Sequence, residues 1–150
     1  MLDTKALQTF EVVCPLLHAE KNVRLEGDGS LPEHLDDIHR IVTSNARVTF
    51  TKKRLAEMDG KIILSLGGIL TVRMIYRGED SGEVLGLMSH NFTKEFEEEF
   101  ELPSLTELPD AYHLTLRADV GSVSCRATGK KKCTFAANFT LRADVLANRA

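Results

Sequence analysis

The chain has 150 residues, 43% of them hydrophobic, which is enough to bury the core of a single domain. Its net charge of -3 at pH 7 arises from 19 Lys and Arg interspersed with 22 Asp and Glu, so there is no electrostatic drive toward nucleic acid or an anionic membrane. The longest apolar stretch, Ile62 to Val72, is interrupted by Ser65, Gly67, Gly68 and Thr71 and falls well short of the roughly 20 residues that a membrane span needs.

Asp3 and Lys5 stand where a secretory leader would place a basic and then an apolar segment, so synthesis in a cytoplasm is expected. Residues 7–14 and 17–25 read as two strands around Pro15. Gly27-Asp28-Gly29-Ser30 with Pro32 then predicts a loop, and Leu35 to Arg40 a short helical turn. Val42, Ala46, Val48 and Phe50 recur at even positions, the period of a half-buried strand, with Thr43, Asn45, Arg47, Thr49 and Thr51 on the other face.

Glu57-Met58-Asp59-Gly60-Lys61 predicts a hairpin, a type I turn closed by a glycine bulge, joining 41–57 to 61–77. The second strand sets Ile62, Leu64, Leu66, Leu70, Val72, Met74 and Tyr76 on one face. Ile63, Ile69 and Ile75 give its opposite face apolar character that another layer or subunit would cover. A turn follows over 77–82. In the segment 83–102, Phe92, Phe96 and Phe100 fit a helix stripe and a strand face equally well, and alternation with Glu95, Glu97, Glu99 and Glu101 tips the reading only slightly to strand.

The clearest hairpin joins 111–126 to 133–146. Tyr112, Leu114, Leu116, Ala118 and Val120 are apolar at even positions, whereas Val123 and Cys125 continue at odd ones. A β-bulge at Gly121 accounts for the change, because one inserted residue flips every side chain beyond it. The partner strand, Cys133 to Val145, keeps odd positions throughout. The resulting register sets Leu116 beside Leu141, Leu114 beside Ala143, Val123 beside Phe135 and Cys125 opposite Cys133. These elements predict an all-β fold, an antiparallel β-sandwich of long hairpins in one domain. The recurrence of Thr-Leu-Arg-Ala-Asp-Val at 115–120 and 140–145 reflects shared strand chemistry on antiparallel strands.

Motifs that carry chemistry are few. Gly129-Lys130 lacks the earlier glycine and the following Ser or Thr of a phosphate-binding loop. His34, Asp36, Asp37 and His39 lack the i, i+4 histidine spacing of a helical metal site, and the aspartates read as turn caps. No serine or cysteine stands in a setting that activates a nucleophile, so neither an enzyme nor a cofactor is expected. Asn91-Phe92-Thr93 and Asn138-Phe139-Thr140 are chance matches to a glycosylation pattern.

Three cysteines are too few for a disulfide framework. Cys125 and Cys133 read as small buried hydrophobes, a cross-strand disulfide or thiols left for oxidation; Cys14 is the candidate for a link between chains. Arg126, Lys130, Lys131 and Lys132 form a basic hairpin tip, either a solvated turn or a docking point for the acidic face Glu95, Glu97, Glu99 of another copy.

The order of these motifs over about residues 12–147 resembles the SPOCS domain family of spore coat and spore-envelope proteins of endospore-forming bacteria. The likeness rests on Leu31-Pro32 followed by Leu35-Asp36-Asp37-Ile38-His39-Arg40-Ile41-Val42, resembling the family's Pro-Asp-Ile-x-x-Ile-Leu. It continues through the Asp59-Gly60-Lys61 hairpin, Tyr76, the run Phe92 to Phe100 leading to Glu101-Leu102-Pro103, and the closing hairpin. Asp36 replaces the expected proline, and the chain has no LysM module, so recruitment by that module is not implied.

The resemblance implies that 83–102 is a strand. It also implies a structural protein made in the mother-cell cytoplasm and acting in the spore coat or at the spore surface, by self-assembly or contact with other spore coat proteins. Exchange of the strand 7–14 between copies, locked by Cys14, is one route to polymers. An adaptor that docks a partner coat protein without polymerising is the alternative. A carbohydrate-binding groove lacks an aromatic platform, since there is no Trp and only Tyr76 and Tyr112.

Overall fold

The computed structural model describes residues 13–103 and 111–148, excluding the side chains of 13–16 and 147–148. Six strands account for nearly all of it: β1 (Val13–Ser30), β2 (Asp37–Met58), β3 (Lys61–Asp80), β4 (Glu83–Glu101), β5 (Tyr112–Ala127) and β6 (Lys132–Asn148). They form two antiparallel three-stranded sheets, sheet A in the order β1-β6-β5 and sheet B in the order β2-β3-β4. The strands run 16 to 22 residues, roughly three times the usual length. The sheets pack face to face, with β4 alongside β1 and β2 alongside β5.

The core is the meeting of two alternating patterns. Every even-numbered apolar residue of β3 from Ile62 to Tyr76 is buried, as are Cys133, Phe135, Ala137, Phe139, Leu141, Ala143 and Val145 of β6. Within segment 83–102, Glu83–Glu101 form a strand, and its buried Phe92, Phe96 and Phe100 all point inward. Phe92 stacks on Phe135 with centroids 5.7 Å apart, and Phe96 lies tilted on Phe139 at 5.4 Å.

Several local expectations are corrected. Residues 13–30 are one strand with a register shift at Pro15/Leu17, and Gly27 to Ser30 continue it instead of forming a loop. These glycines serve close approach, not a turn: a Cβ on Gly27 would sit 2.5 Å from the Phe135 ring, and one on Gly29 2.4 Å from Phe92. The reversal comes later, where Leu35 N–H donates to the Pro32 carbonyl, and β2 begins at Asp37 with no helical turn. Register shifts at Ile38/Arg40 and Ile41/Thr43 turn Val42 outward, so Ile41 packs on the core instead. Asp59 and Gly60 both have positive φ, 52° and 75°, which makes a two-residue turn of the I′ kind and not a type I turn with a bulge.

In the final hairpin the shift falls at Val120/Ser122, around Gly121 as expected, but the pairing lies two residues further along. Leu114 pairs Val145, Leu116 pairs Ala143 and Val123 pairs Ala137. A slip of two keeps every side chain on its face, so alternation alone cannot detect it. The turn decides it, because Thr128 and Gly129 N–H both donate to the Lys132 carbonyl.

Candidate functional site

Each sheet has one face in the core and one face outward, and the two outward faces differ. Strand register sets their rows. Across the outer face of sheet B the rows run Arg40, Arg77, Leu87; then Thr43, Ile75, Ser89; Asn45, Arg73, Asn91; Arg47, Thr71, Thr93; Thr49, Ile69, Glu95; Lys52, Gly67, Glu97; Arg54, Ser65, Glu99; and Ala56, Ile63, Glu101. The β3 column carries half-buried Ile63, Ile69 and Ile75, and no layer among the described residues covers it. Val42, Val84 and Leu87 add exposed apolar surface on the flanking strands, 46%, 47% and 62% exposed.

Charge on this face is divided by column. The β4 edge carries Glu95, Glu97, Glu99 and Glu101, whereas β2 carries Arg40, Arg47, Lys52 and Arg54. Lys52 reaches across Gly67 toward Glu97 (Nζ to Oε1 3.8 Å) and Lys61 pairs Glu101 at 3.4 Å. Among the described residues, Arg47, Arg54 and Arg73 have no carboxylate within 4.0 Å.

The outer face of sheet A neutralises itself. His18 donates to Asp144 at 2.5 Å and to Glu20 at 2.8 Å, which holds its pKa above the ordinary imidazole value, chiefly through Glu20. Arg142 bonds Asp119 at 2.7 Å and also Glu20, while Arg117 reaches Asp119 at 3.3 Å and Arg24 pairs Glu26 at 2.9 Å. Glu20 is correspondingly held below the usual carboxylate range, mainly by His18.

The expected site residues are only partly brought together. Glu95, Glu97 and Glu99 are exposed and aligned, as alternation implies. The basic tip is not a uniform solvated turn: Lys131 Nζ bonds the Leu35 carbonyl and pairs Asp37 at 3.2 Å, while the Lys130 and Lys131 carbonyls accept from Ile38 and Leu31. The tip thus fastens the β1–β2 crossover, leaving Arg126, Lys130 and Lys132 as its exposed cations. Asp37 is an ion-pair partner rather than a turn cap, and His39 lies 3.8 Å from Glu79. Among the described residues no three His, Cys, Asp or Glu side chains converge on a metal position.

Cys125 and Cys133 share the core side but are not opposite one another; Cys125 faces Phe135, and Cys133 faces Ala127. They are diagonal neighbours, for which Cα atoms lie about 7–8 Å apart, beyond ordinary disulfide reach, and both are free thiols. Burial pushes Cys133 up to about 11, with Cys125 adding to the shift, and burial also raises Cys125 although Ser44 bonds its sulfur. Cys14 sits in β1 opposite Ala147, and its side chain and residues 7–12 of the exchanged-strand expectation lie outside the described residues.

The arginine rows and the uncovered isoleucine column are what sequence patterning did not single out. Alternation puts Arg47 on an outer face, but only the register of β2 on β3 places Arg73 diagonally next to it. Comparison with known proteins finds no matching family model, no similar curated protein and no matching solved structure.

Proposed function

We propose that this chain is a non-enzymatic structural module of the endospore coat or surface, made in the mother-cell cytoplasm and acting by association with copies of itself and with other spore coat proteins. The spore context rests on the likeness of its motifs to SPOCS domains. The observation that carries the assembly reading is the outer face of sheet B, where an uncovered isoleucine column lies between a basic and an acidic strand. Apolar centres with charged margins are what contact surfaces between proteins need.

The face is complementary to itself. A two-fold axis along the strand direction stacks sheet B on a second copy row by row, so that β2 lies over the partner's β4. Lys52 then meets the second copy's Glu97, Arg54 its Glu99, and the isoleucines meet across β3. Addition of a further strand at the β1/β4 side is disfavoured, because Lys21, Lys94 and Glu98 point inward there, Lys21 pairing Glu98 at 2.7 Å and Lys94 bonding the Glu26 carbonyl. That guarded edge also favours the second reading, an adaptor making one face contact without polymerising.

Sedimentation and electron microscopy of the pure chain test both. Assembly that grows with concentration and weakens with salt is expected. A monomer at high concentration and low salt, with and without reductant, would overturn the self-association reading. Pull-down of a coat protein by such a monomer would establish the adaptor instead.

A further inference from the structure

We propose that the hollow between Arg47 and Arg73 on the outer face of sheet B is an oxyanion site. It is a depression of about 480 Å³ lined by Asn45, Arg47, Thr71, Arg73, Ser89 and Asn91, together with the half-buried His90. Among the described residues no carboxylate lines it. The two guanidiniums are diagonal neighbours on β2 and β3, because Asn45 pairs Arg73 and Arg47 pairs Thr71. Asn91 completes the Asn45–Arg73 row, and Ser89 is held 3.5 Å from Arg73. The hollow therefore presents two planar cationic forks with amide and hydroxyl donors beside them.

Three arginines of sheet A make the contrast. On sheet A, Arg24, Arg117 and Arg142 each contact a carboxylate of their own chain. Arg47 and Arg73 have none within 4.0 Å among the described residues; the nearest acidic column begins at Glu95, one row further and two strand spacings from Arg47, roughly 10 Å away. Two uncompensated guanidiniums repel each other, and a planar or tetrahedral oxyanion relieves this with charge-assisted, bidentate hydrogen bonds. The site is complete in one chain. In the two-fold stack proposed above, Arg73 meets its own copy, so a bound oxyanion would also remove that repulsion.

The shared ligand chemistry is an oxyanion, supplied either as a free inorganic ion or as a carboxylate of a protein segment. Binding of sulfate, at an ionic strength held constant with chloride, is followed by calorimetry and by the arginine Nε–H resonances. Saturable binding with shifts at Arg47 and Arg73 is expected. The paired change Arg47→Gln and Arg73→Gln is expected to weaken it at least tenfold, while Arg117→Gln leaves it unchanged. A synthetic peptide of residues 94–102 gives the second arm: competition with sulfate assigns the site to chain carboxylates as well, and no competition restricts it to free oxyanions. Equal binding by the parent and the double variant, or a response to sulfate no greater than to chloride, would overturn the proposal. Circular dichroism of the double variant separates lost binding from lost fold.

Discussion

The two outer faces of the sandwich are built from the same number of strands with the same alternation, yet they treat charge in opposite ways. On sheet A most cations find an anion beside them: His18 with Asp144 and Arg142 with Glu20 and Asp119 across adjacent strands, Arg24 with Glu26 along β1. On sheet B like charges are gathered in columns, with half-buried isoleucines between them and exposed apolar residues beside them. A face that satisfies itself gains little from a partner, whereas a segregated face is completed by one. The difference lies in which residues the register brings side by side, since both faces are rich in charge.

Folding stability lies with the inner faces, and the proposed function places association on the outer face of sheet B. The sharpest break would come from Phe135→Ala, which removes the ring that fills the space over Gly27 and stacks on Phe92. A loss of about 3–5 kcal/mol by denaturant unfolding is expected. A small loss would mean that the facing aromatics are not the core of the sandwich.

Next in size is charge reversal on the acidic column. Glu97→Lys with Glu99→Lys is expected to weaken self-association more than tenfold in sedimentation while leaving the unfolding midpoint nearly unchanged. Asp119→Lys on sheet A should do the reverse, costing about 1 kcal/mol by removing a partner of two arginines with no effect on association. Equal effects of the two changes on association would erase the distinction between the faces.

Tyr76 sharpens the account of the inner faces. Its hydroxyl is fully buried and has no hydrogen-bond partner among the described residues, and burial raises its pKa, with Asp36 adding to the shift. Tyr76→Phe is expected to stabilise the fold by about 1 kcal/mol. Destabilisation would show that the hydroxyl is satisfied in solution.

The smallest effect is the pH dependence of sheet A. A raised His18 pKa means that its contribution is fully present below the unfolded value near 6.5 and fades as pH rises through the folded value. The lowered Glu20 pKa has the opposite sense: its contribution is present above about 4.5 and is lost as pH falls through the folded value. Melting temperature should therefore drop slightly as pH rises above about 6.5 in the parent chain, and His18→Gln should remove that drop. Because both groups are exposed, a large change would contradict the assignment.

Much of the fold was legible because long alternating runs over-determine which face is buried. The even residues of β3, the odd residues of β6 and the phase change at Gly121 are all read directly from periodicity. The errors have a common cause. Glycines 27 and 29 read as a loop because sequence cannot distinguish a glycine that turns from one that admits an aromatic ring from a distant strand. Cys125 and Cys133 read as opposite each other because a two-residue slip preserves the pattern that fixes their face. Lys131 reads as part of an unfastened tip because its partner Asp37 lies far away in sequence.

The amino-acid sequence by itself determined that strands form, where three hairpins turn and which side chains face inward, because these depend on neighbours within one strand. Strand partners and their exact offset were decided only in the tertiary structure, where turn geometry, ring packing and bulges compete. The outer-face rows follow from those offsets. That is why the acidic run Glu95 to Glu101, which lies within one strand, is legible in the sequence, while its basic counterpart on β2 and the hollow between Arg47 and Arg73 depend on strands lying side by side.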